Sequence, residues 1–413
     1  MKPEALAPGA PAAADGMIPL IVPEIRGNEG RYVQQCLDTN WVSSVGSYVD
    51  RFERMTAEAV GARYAVATVN GTAALHIALQ LAGVQPEDEV LVSSLTFIAP
   101  ANAVRYVGAW PVFLDAEPDH LQIDPLAVAR FLEEDCAWDG RALRNRATGR
   151  RVAALLPVHI LGHPVDLDPL LALAEKYALP VIEDATEGLG ARYRDRPLGA
   201  LARMGCFSYN GNKIITTGGG GMLVTNDAAL AQRARYLTTQ AKDDPIEYIH
   251  HEVGYNYRLT NLLAAMGCAQ MEQLDSFVAA KQAIAARYRA GLAGLPGLRI
   301  PEQAPWAAST FWMFTVLIDE AEAGLDSRAL LRTLAEARIQ TRPLWQPMHR
   351  SPAHAASVSP ACPVADRLYR QALSLPCSVG LTPEAQDRVI GVLRDTLTRR
   401  AAAAPTLAAS TNS

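Results

Sequence analysis

The chain has 413 residues, of which 49% are hydrophobic and 20% charged, the proportions of a globular protein with a sizeable core. Lys+Arg is 38 and Asp+Glu is 43, a net charge of −5, which argues against a nucleic-acid binder with its basic stripe. No apolar run approaches the roughly 20 residues that span a bilayer, and the first residues lack the apolar core of a secretion signal, so the expected location is the cytoplasm.

Residues 1–16 read as a disordered tail, as do 401–413, AAAAPTLAASTNS. Between them, short β-rich runs alternate with amphipathic helical stretches. The strand Tyr64–Val69 precedes a helix over Ala73–Leu81, and Glu89–Ser93 precedes a segment from Thr96 to Val107. Val152–Val158 precedes a helix near Leu167–Tyr177, and Leu179–Ile182 is a further short strand. Cys206–Tyr209 and Met222–Val224 form a closing pair. Strands spaced by helices predict a mostly parallel, doubly covered α/β sheet in a large domain over 17–265. The texture then changes. One connecting helix, Cys268–Leu292, leads to the strand Phe311–Ile318, a helix at Ser327–Ala337 and a last helix at Pro383–Leu397. This predicts a smaller α+β domain over 266–400. Six cysteines are scattered with no CxxC pair, so neither a disulfide framework nor a zinc site is expected.

Ligands of open α/β sheets gather at the carboxyl ends of the strands. The first strand ends in Asn70-Gly71-Thr72-Ala73 and runs straight into a helix, whose free N–H groups and positive end suit a phosphate. The same residues also suit a plain N-cap. Glu183 and Asp184 follow an apolar strand, where buried carboxylates need partners. One of them is expected to face a cation or a protonated heterocycle, and a helix cap or a metal site is the competing use. Lys213 lies between a strand and the run Gly218-Gly219-Gly220-Gly221, which implies close backbone packing or a hinge. A lysine kept from water can act as a nucleophilic amine and proton carrier. Phosphate cradle, strand-end aspartate and loop lysine, in that order, are the parts of a pyridoxal-phosphate site.

NGTAALHIAL (70–79), EDATEGLGA (183–191), FSYNGNKIITTGGGGM (207–222) and GYNYRLTNLLAA (254–265) resemble the DegT-type nucleotide-sugar aminotransferases, which have fold type I. The resemblance covers about residues 18–397. It implies a large domain with a mostly parallel seven-stranded sheet flanked by helices, plus a smaller C-terminal domain. WVSSVGSYVDRFE (41–53), PVHILGHP (157–164), QTRPLWQPMH (340–349) and LSLPCSVGLT (373–382) are most similar to the subgroup that aminates UDP-linked 2-acetamido-2,6-dideoxy-4-keto sugars on the bacillosamine and legionaminic-acid routes, toward surface polysaccharide.

Residue by residue, Lys213 resembles the lysine that binds pyridoxal 5'-phosphate, and Asp184 the partner of its ring nitrogen. Gly71, Thr72 and Ala73 match the phosphate turn, with Ser208 a second phosphate ligand. Phe97 resembles the aromatic that stacks on the ring. Glu187 stands where a glutamine or histidine is usual and matches a contact to the ring hydroxyl. Asn256 matches an asparagine that reaches the phosphate of the neighbouring subunit in a homodimer. For the substrates, L-glutamate and the keto sugar, His159, Arg258, Arg342 and His349 are candidates, with loop packing, surface exposure or structural ion pairs as their alternatives. His163 shares the first of these. No metal is expected. A sugar dehydratase of this fold would carry histidine in place of Lys213, and a non-catalytic sensor would have lost Lys213 or Asp184. The sequence does not separate 3- from 4-amination.

Overall fold

The computed structural model describes residues 16–244 and 246–403. Seven short strands supply its main sheet: β1 (Tyr64–Thr68), β2 (Glu89–Ser93), β3 (Trp110–Leu114), β4 (Val152–Leu156), β5 (Ile182–Asp184), β6 (Met204–Ser208) and β7 (Gly221–Thr225). Every residue of β2, β4, β5 and β7 is buried, which is why they read as apolar runs rather than as alternations. Two ladders, β1-β7-β6-β5 and β3-β2-β4, are joined by the parallel bridges Leu155↔Val181 and Val158↔Asp184. The order is therefore β1-β7-β6-β5-β4-β2-β3. β7 runs antiparallel to both neighbours, and the other ladders are parallel. The mostly parallel seven-stranded sheet is present.

Helices cover both faces. On one side α1 (Glu29–Asp38) and α2 (Ser47–Val60) bury Tyr32 and Phe52 with Phe207, Met222 and Val224. On the other, α3 (Gly71–Leu81) buries Leu75 and Ile77 with Val90, Ile182 and Leu223. Met222, Leu223 and Val224 thus face alternate sides, as the strand period of two requires. α3 is buried along nearly its whole length, which accounts for its apolar composition on every face.

The chain then crosses to a second sheet through α4 (Asn261–Met271) and α5 (Leu274–Leu292). The single helix expected over Cys268–Leu292 is broken at Glu272–Gln273. Glu272 is pinned there by Tyr32, Asn28 and Arg51, so α4 stays on α1 and α2 while α5 departs. The second sheet is antiparallel, with β8 (Leu298–Arg299), β9 (Phe314–Ile318) and β10 (Ala372–Leu375) in that order. Tyr288, Leu330, Val389 and Leu397 pack over it. Ile18 joins this core and bridges Ile339, so the start of the segment assigned to 17–265 packs on the C-terminal sheet.

Two boundaries differ from expectation. The strand expected at Leu179–Ile182 is Ile182–Asp184, because Pro180 has no N–H to give a ladder. The last helix, α6 (Pro383–Ala403), runs three residues into the tail expected from 401. The rest of the two predicted tails, 1–15 and 404–413, lies outside the described residues. No helix among the described residues is long and apolar enough to cross a membrane. All six cysteines are free and buried.

Candidate active site

Strand register decides what meets at the sheet's edge. Thr68 and Ser208 both pair with Gly221, and Asp184 pairs with Cys206. The carboxyl ends of β1, β5 and β6 and the start of β7 therefore lie side by side. The loops leaving these strand ends line one cavity of about 230 Å³: Asn70, Gly71 and Thr72; Thr186 and Glu187; Ser208, Asn210, Asn212 and Lys213; Gly219 and Gly220. Phe97, Trp312 and Trp345 form apolar walls.

The glycines allow this approach. A Cβ on Gly71 would lie 2.9 Å from Ser208 Cβ and 3.1 Å from Thr186 Cγ2, and one on Gly221 would strike the Asn70 carbonyl. In the four-glycine run, Gly220 and Gly221 are close-packed, Gly218 holds a left-handed turn at φ +80°, and Gly219 has open space beside it. Gly221 alone is a close approach of backbone to backbone, while Gly220 packs on the Thr217 side chain.

Asn70 caps α3, its Oδ1 accepting from Ala73 N at 2.8 Å. Ala73 was expected in the phosphate turn, but its N–H is spent on this cap. The N–H groups of Gly71 and Thr72, at the first two helical positions, have no acceptor within the helix. With the helix dipole they give the cavity a positive end.

The two acids divide. Glu183 accepts from Gly199 N, Leu201 N and Ala202 N at 2.9, 2.7 and 2.7 Å, and His159 Nε2 stands 3.3 Å away. Burial works to raise its pKa, yet His159 and these N–H groups hold the carboxyl below the ordinary range. Neighbouring strand residues point to opposite faces. Asp184 is as buried, and its Oδ1 accepts from Thr186 N at 3.1 Å; burial raises its pKa against the hydrogen bonds of the Thr186 backbone and side chain and the pull of Lys213 and His159. Among the described residues no cation lies within ion-pair distance of it. Asp184 is thus the acid with capacity for an incoming cation.

Lys213 enters from the opposite wall. Its Nζ is 3.6 Å from Glu187 Oε1 and 4.2 Å from the centroid of the Trp312 ring. Glu187 Oε2 accepts from Leu161 N at 2.7 Å, an N–H aimed there by the left-handed backbone of Leu161, φ 62°. Burial pushes the Glu187 carboxyl up to about 7, against the pull of Lys213 and of that N–H.

Other expected residues fall elsewhere. Asn256 is exposed on an outer loop and does not line its own chain's cavity. None of the four substrate candidates lines it either. His159 is wholly buried between Glu183 and Val165 N, a packing role. His163 accepts from Ala304 N, and burial takes its imidazole down to about 4. Arg258 is ion-paired to Glu53 beneath β1, the structural alternative. Arg342 is exposed, donating to Thr341 O. His349 is held between Ser94 Oγ at 2.6 Å and Asp366 at 3.1 Å. Trp312 and Trp345 are site residues that the sequence did not single out. Trp312 looked like part of an apolar strand, and Trp345 stood unremarked inside QTRPLWQPMH. Among the described residues no group of three or more His, Cys, Asp or Glu side chains could hold a metal ion.

The donor set fits pyridoxal phosphate. There is an anion cradle at Gly71, Thr72 and Ser208, a buried carboxylate without a cation, an amine, and an aromatic wall at Phe97. Comparison with known proteins agrees. A sequence model of the DegT/DnrJ/EryC1/StrS aminotransferase family matches residues 23–394. EpsN of Bacillus subtilis, whose provisional name is pyridoxal phosphate-dependent aminotransferase, is 40% identical over 375 residues, covering 90% of this chain and 93% of its own. GDP-perosamine synthase of Caulobacter vibrioides is 39% identical over 382 residues, 92% and 98% of the two chains. The dTDP-3-amino-3,4,6-trideoxy-α-D-glucose transaminase of Streptomyces venezuelae is 36% identical over 378 residues, 90% and 93%. Among solved structures, S. venezuelae DesV superposes with a TM-score of 0.80 at 34% identity, covering 89% of this chain and 94% of its own.

Proposed function

We propose, proceeding from a chain that belongs to the DegT/DnrJ/EryC1/StrS family of pyridoxal phosphate-dependent aminotransferases and acts on a nucleotide sugar, that its sugar is a UDP-linked 2-acetamido-2,6-dideoxy-4-keto-hexose. L-Glutamate gives the nitrogen, and the product is a UDP-4-amino sugar made in the cytoplasm for a surface glycan. The observation that carries the transamination is the placement of the Lys213 amine, between Glu187 and Trp312, in a cavity that the start of α3 also lines, with Asp184 buried at the end of the neighbouring strand β5. Amination at C4 is supported by the relative whose name contains perosamine, a 4-amino sugar. The UDP-sugar assignment is supported by the motif resemblance, and Trp345 of QTRPLWQPMH lines the cavity.

Pyridoxal phosphate, when bound, supplies an electron-accepting ring and an aldehyde carbon that takes up nitrogen. The N–H groups of Gly71 and Thr72 and the Ser208 hydroxyl hold its phosphate. Asp184 keeps the ring nitrogen protonated, since a buried carboxylate short of partners favours a cation beside it. Glu187 meets the ring hydroxyl, and Phe97 covers one face. Lys213 would hold the aldehyde carbon, and its amine would carry a proton to and from the substrate carbon that gains or loses nitrogen. Trp312 and Trp345, with Phe97, give the site its apolar walls. The working unit in this reading is a homodimer, with Asn256 of one subunit completing the phosphate site of the other.

Incubation with glutamate and a panel of UDP-, GDP- and dTDP-keto sugars, with products analysed by mass and NMR, tests the assignment. A UDP-4-amino sugar is expected. A 3-amino product, or turnover confined to GDP or dTDP sugars, would overturn it, and the 36% relative makes the dTDP-3-amino outcome the one to look for.

A further inference from the structure

Lys281, on α5, is buried to 2% exposure, and among the described residues no carboxylate lies within ion-pair distance of it. Its ammonium donates instead to two main-chain carbonyls, Trp312 O at 2.7 Å and Cys377 O. The pairing of β9 with β10 explains their position. Phe314 faces Leu375 as the last pair of that ladder. Continued outward, the register would set Trp312 opposite Cys377. The ladder cannot continue, because Pro376 has no N–H and the Cys377 N–H is given to Leu20 O. Two carbonyls are left facing each other in a dry core, and unpaired they would be costly. Lys281 reaches them with a point charge on an apolar stem.

Trp312 is thereby fixed at both ends. Lys281 holds its carbonyl, and its indole Nε1 donates to Asn212 O at 2.7 Å, the residue before Lys213. Its ring has one place to lie, against the Lys213 amine.

We propose that Lys281 is a positioning residue of the active site: by tying the Trp312 and Cys377 carbonyls it sets the Trp312 ring against Lys213. The proposal rests on Lys213 being the reacting amine. A purely structural lysine would support stability alone, whereas this one also sets the environment of Lys213 through Trp312.

The test is a double-mutant cycle of Lys281→Met and Trp312→Leu, read in two ways. In the holoenzyme, each single variant lowers the rate of the glutamate half-reaction about tenfold, the scale of a small misplacement of a reacting group. The double variant is no slower than the worse single, and Lys281→Arg, which keeps donors for both carbonyls, stays within about twofold of wild type. In the cofactor-free full chain, acetylation of Lys213 by acetic anhydride, read by peptide mass, becomes about threefold faster in either single variant once the ring no longer covers the ammonium. Additive effects, or wild-type acetylation in Trp312→Leu, overturn the proposal. Should Lys281→Met not fold, Lys281→Gln replaces it in the cycle, and the Trp312→Leu outcome still decides. A half-reaction that survives Lys213→Ala would overturn the role of Lys213, whereas acetylation, needing no cofactor, judges Lys281 separately.

Discussion

At the carboxyl ends of β1, β5 and β6 the ionisable side chains of the site are positioned by the chain that carries them: Glu187 by Leu161 N, Asp184 by Thr186 N, Lys213 between Glu187 and Trp312. The segment leading to Asn256 is built the other way. Its backbone is satisfied locally, with Asp244 Oδ1 accepting from Ile246 N and Glu247 N, and Asp243 accepting from His251 N. Its apolar side chains are not covered: Ile246, Tyr248 and Val253 stand 81%, 67% and 82% exposed. Tyr255 and Tyr257 stack at 4.9 Å and fold back onto His76 of α3, and Asn256 between them is left facing outward. The first region needs only a cofactor. The second leaves apolar side chains exposed to solvent, and the proposed homodimer would cover them.

Substitutions that break the first region should cost most. Lys213→Ala is expected to abolish the visible absorbance of protein-bound cofactor and to slow turnover by about a thousandfold or more, measured with glutamate and the keto sugar. Asp184→Asn keeps the shape and loses the charge. The glutamate half-reaction, followed by stopped-flow absorbance, should slow about a hundredfold with a modest loss of cofactor affinity. A wild-type rate in that variant would reject the role of Asp184.

The second region is tested by Asn256→Asp, which sets a carboxylate where the reading places a neighbour's phosphate. Cofactor binding by titration should weaken by about tenfold or more. Mixed with Lys213→Ala subunits, Asn256→Asp subunits should recover at most about half of wild-type activity, because one site of each heterodimer carries neither defect. No recovery in heterodimers verified by mass would mean that Asn256 serves its own chain or nothing.

The smallest effect sharpens the first region. Glu187 has a pKa raised to about 7 by burial, so the folded chain binds its proton more tightly than the unfolded chain does. Stability therefore falls as pH rises from about 4.5 to about 7, and no further above that. Glu187→Gln should melt like wild type at pH 5 and a few degrees higher at pH 8 in the cofactor-free protein. Parallel melting curves across that range would contradict it.

How much of this was legible in the sequence depended on distance along the chain. Asn70-Gly71-Thr72 could be read locally, because a strand, a glycine and a helix start fix each other. Lys213 could be read from its flanking strand and the glycines. The choice between Glu183 and Asp184 came from the resemblance and not from the local pattern, since it turns on which face each takes, and Pro180 displaced the strand by which that would be judged. The partner of Arg258 is Glu53 on α2, and Trp312 and Trp345 come to the cavity from beyond α5. Such contacts are set by packing between sheets and leave no periodic trace. Ile18 was placed with the large sheet because it precedes it in sequence, yet it pairs with Ile339.

The central claim, that the cavity at the ends of β1, β5 and β6 is where the chain holds its cofactor covalently, meets its most direct test in the lysines. The sequence has only Lys2, Lys176, Lys213, Lys242 and Lys281. Borohydride reduction of the holoenzyme, followed by digestion and peptide mapping, should place the reduced pyridoxyl group on Lys213 alone. A stoichiometric adduct on any of the other four, with Lys213 unmodified, would contradict the account.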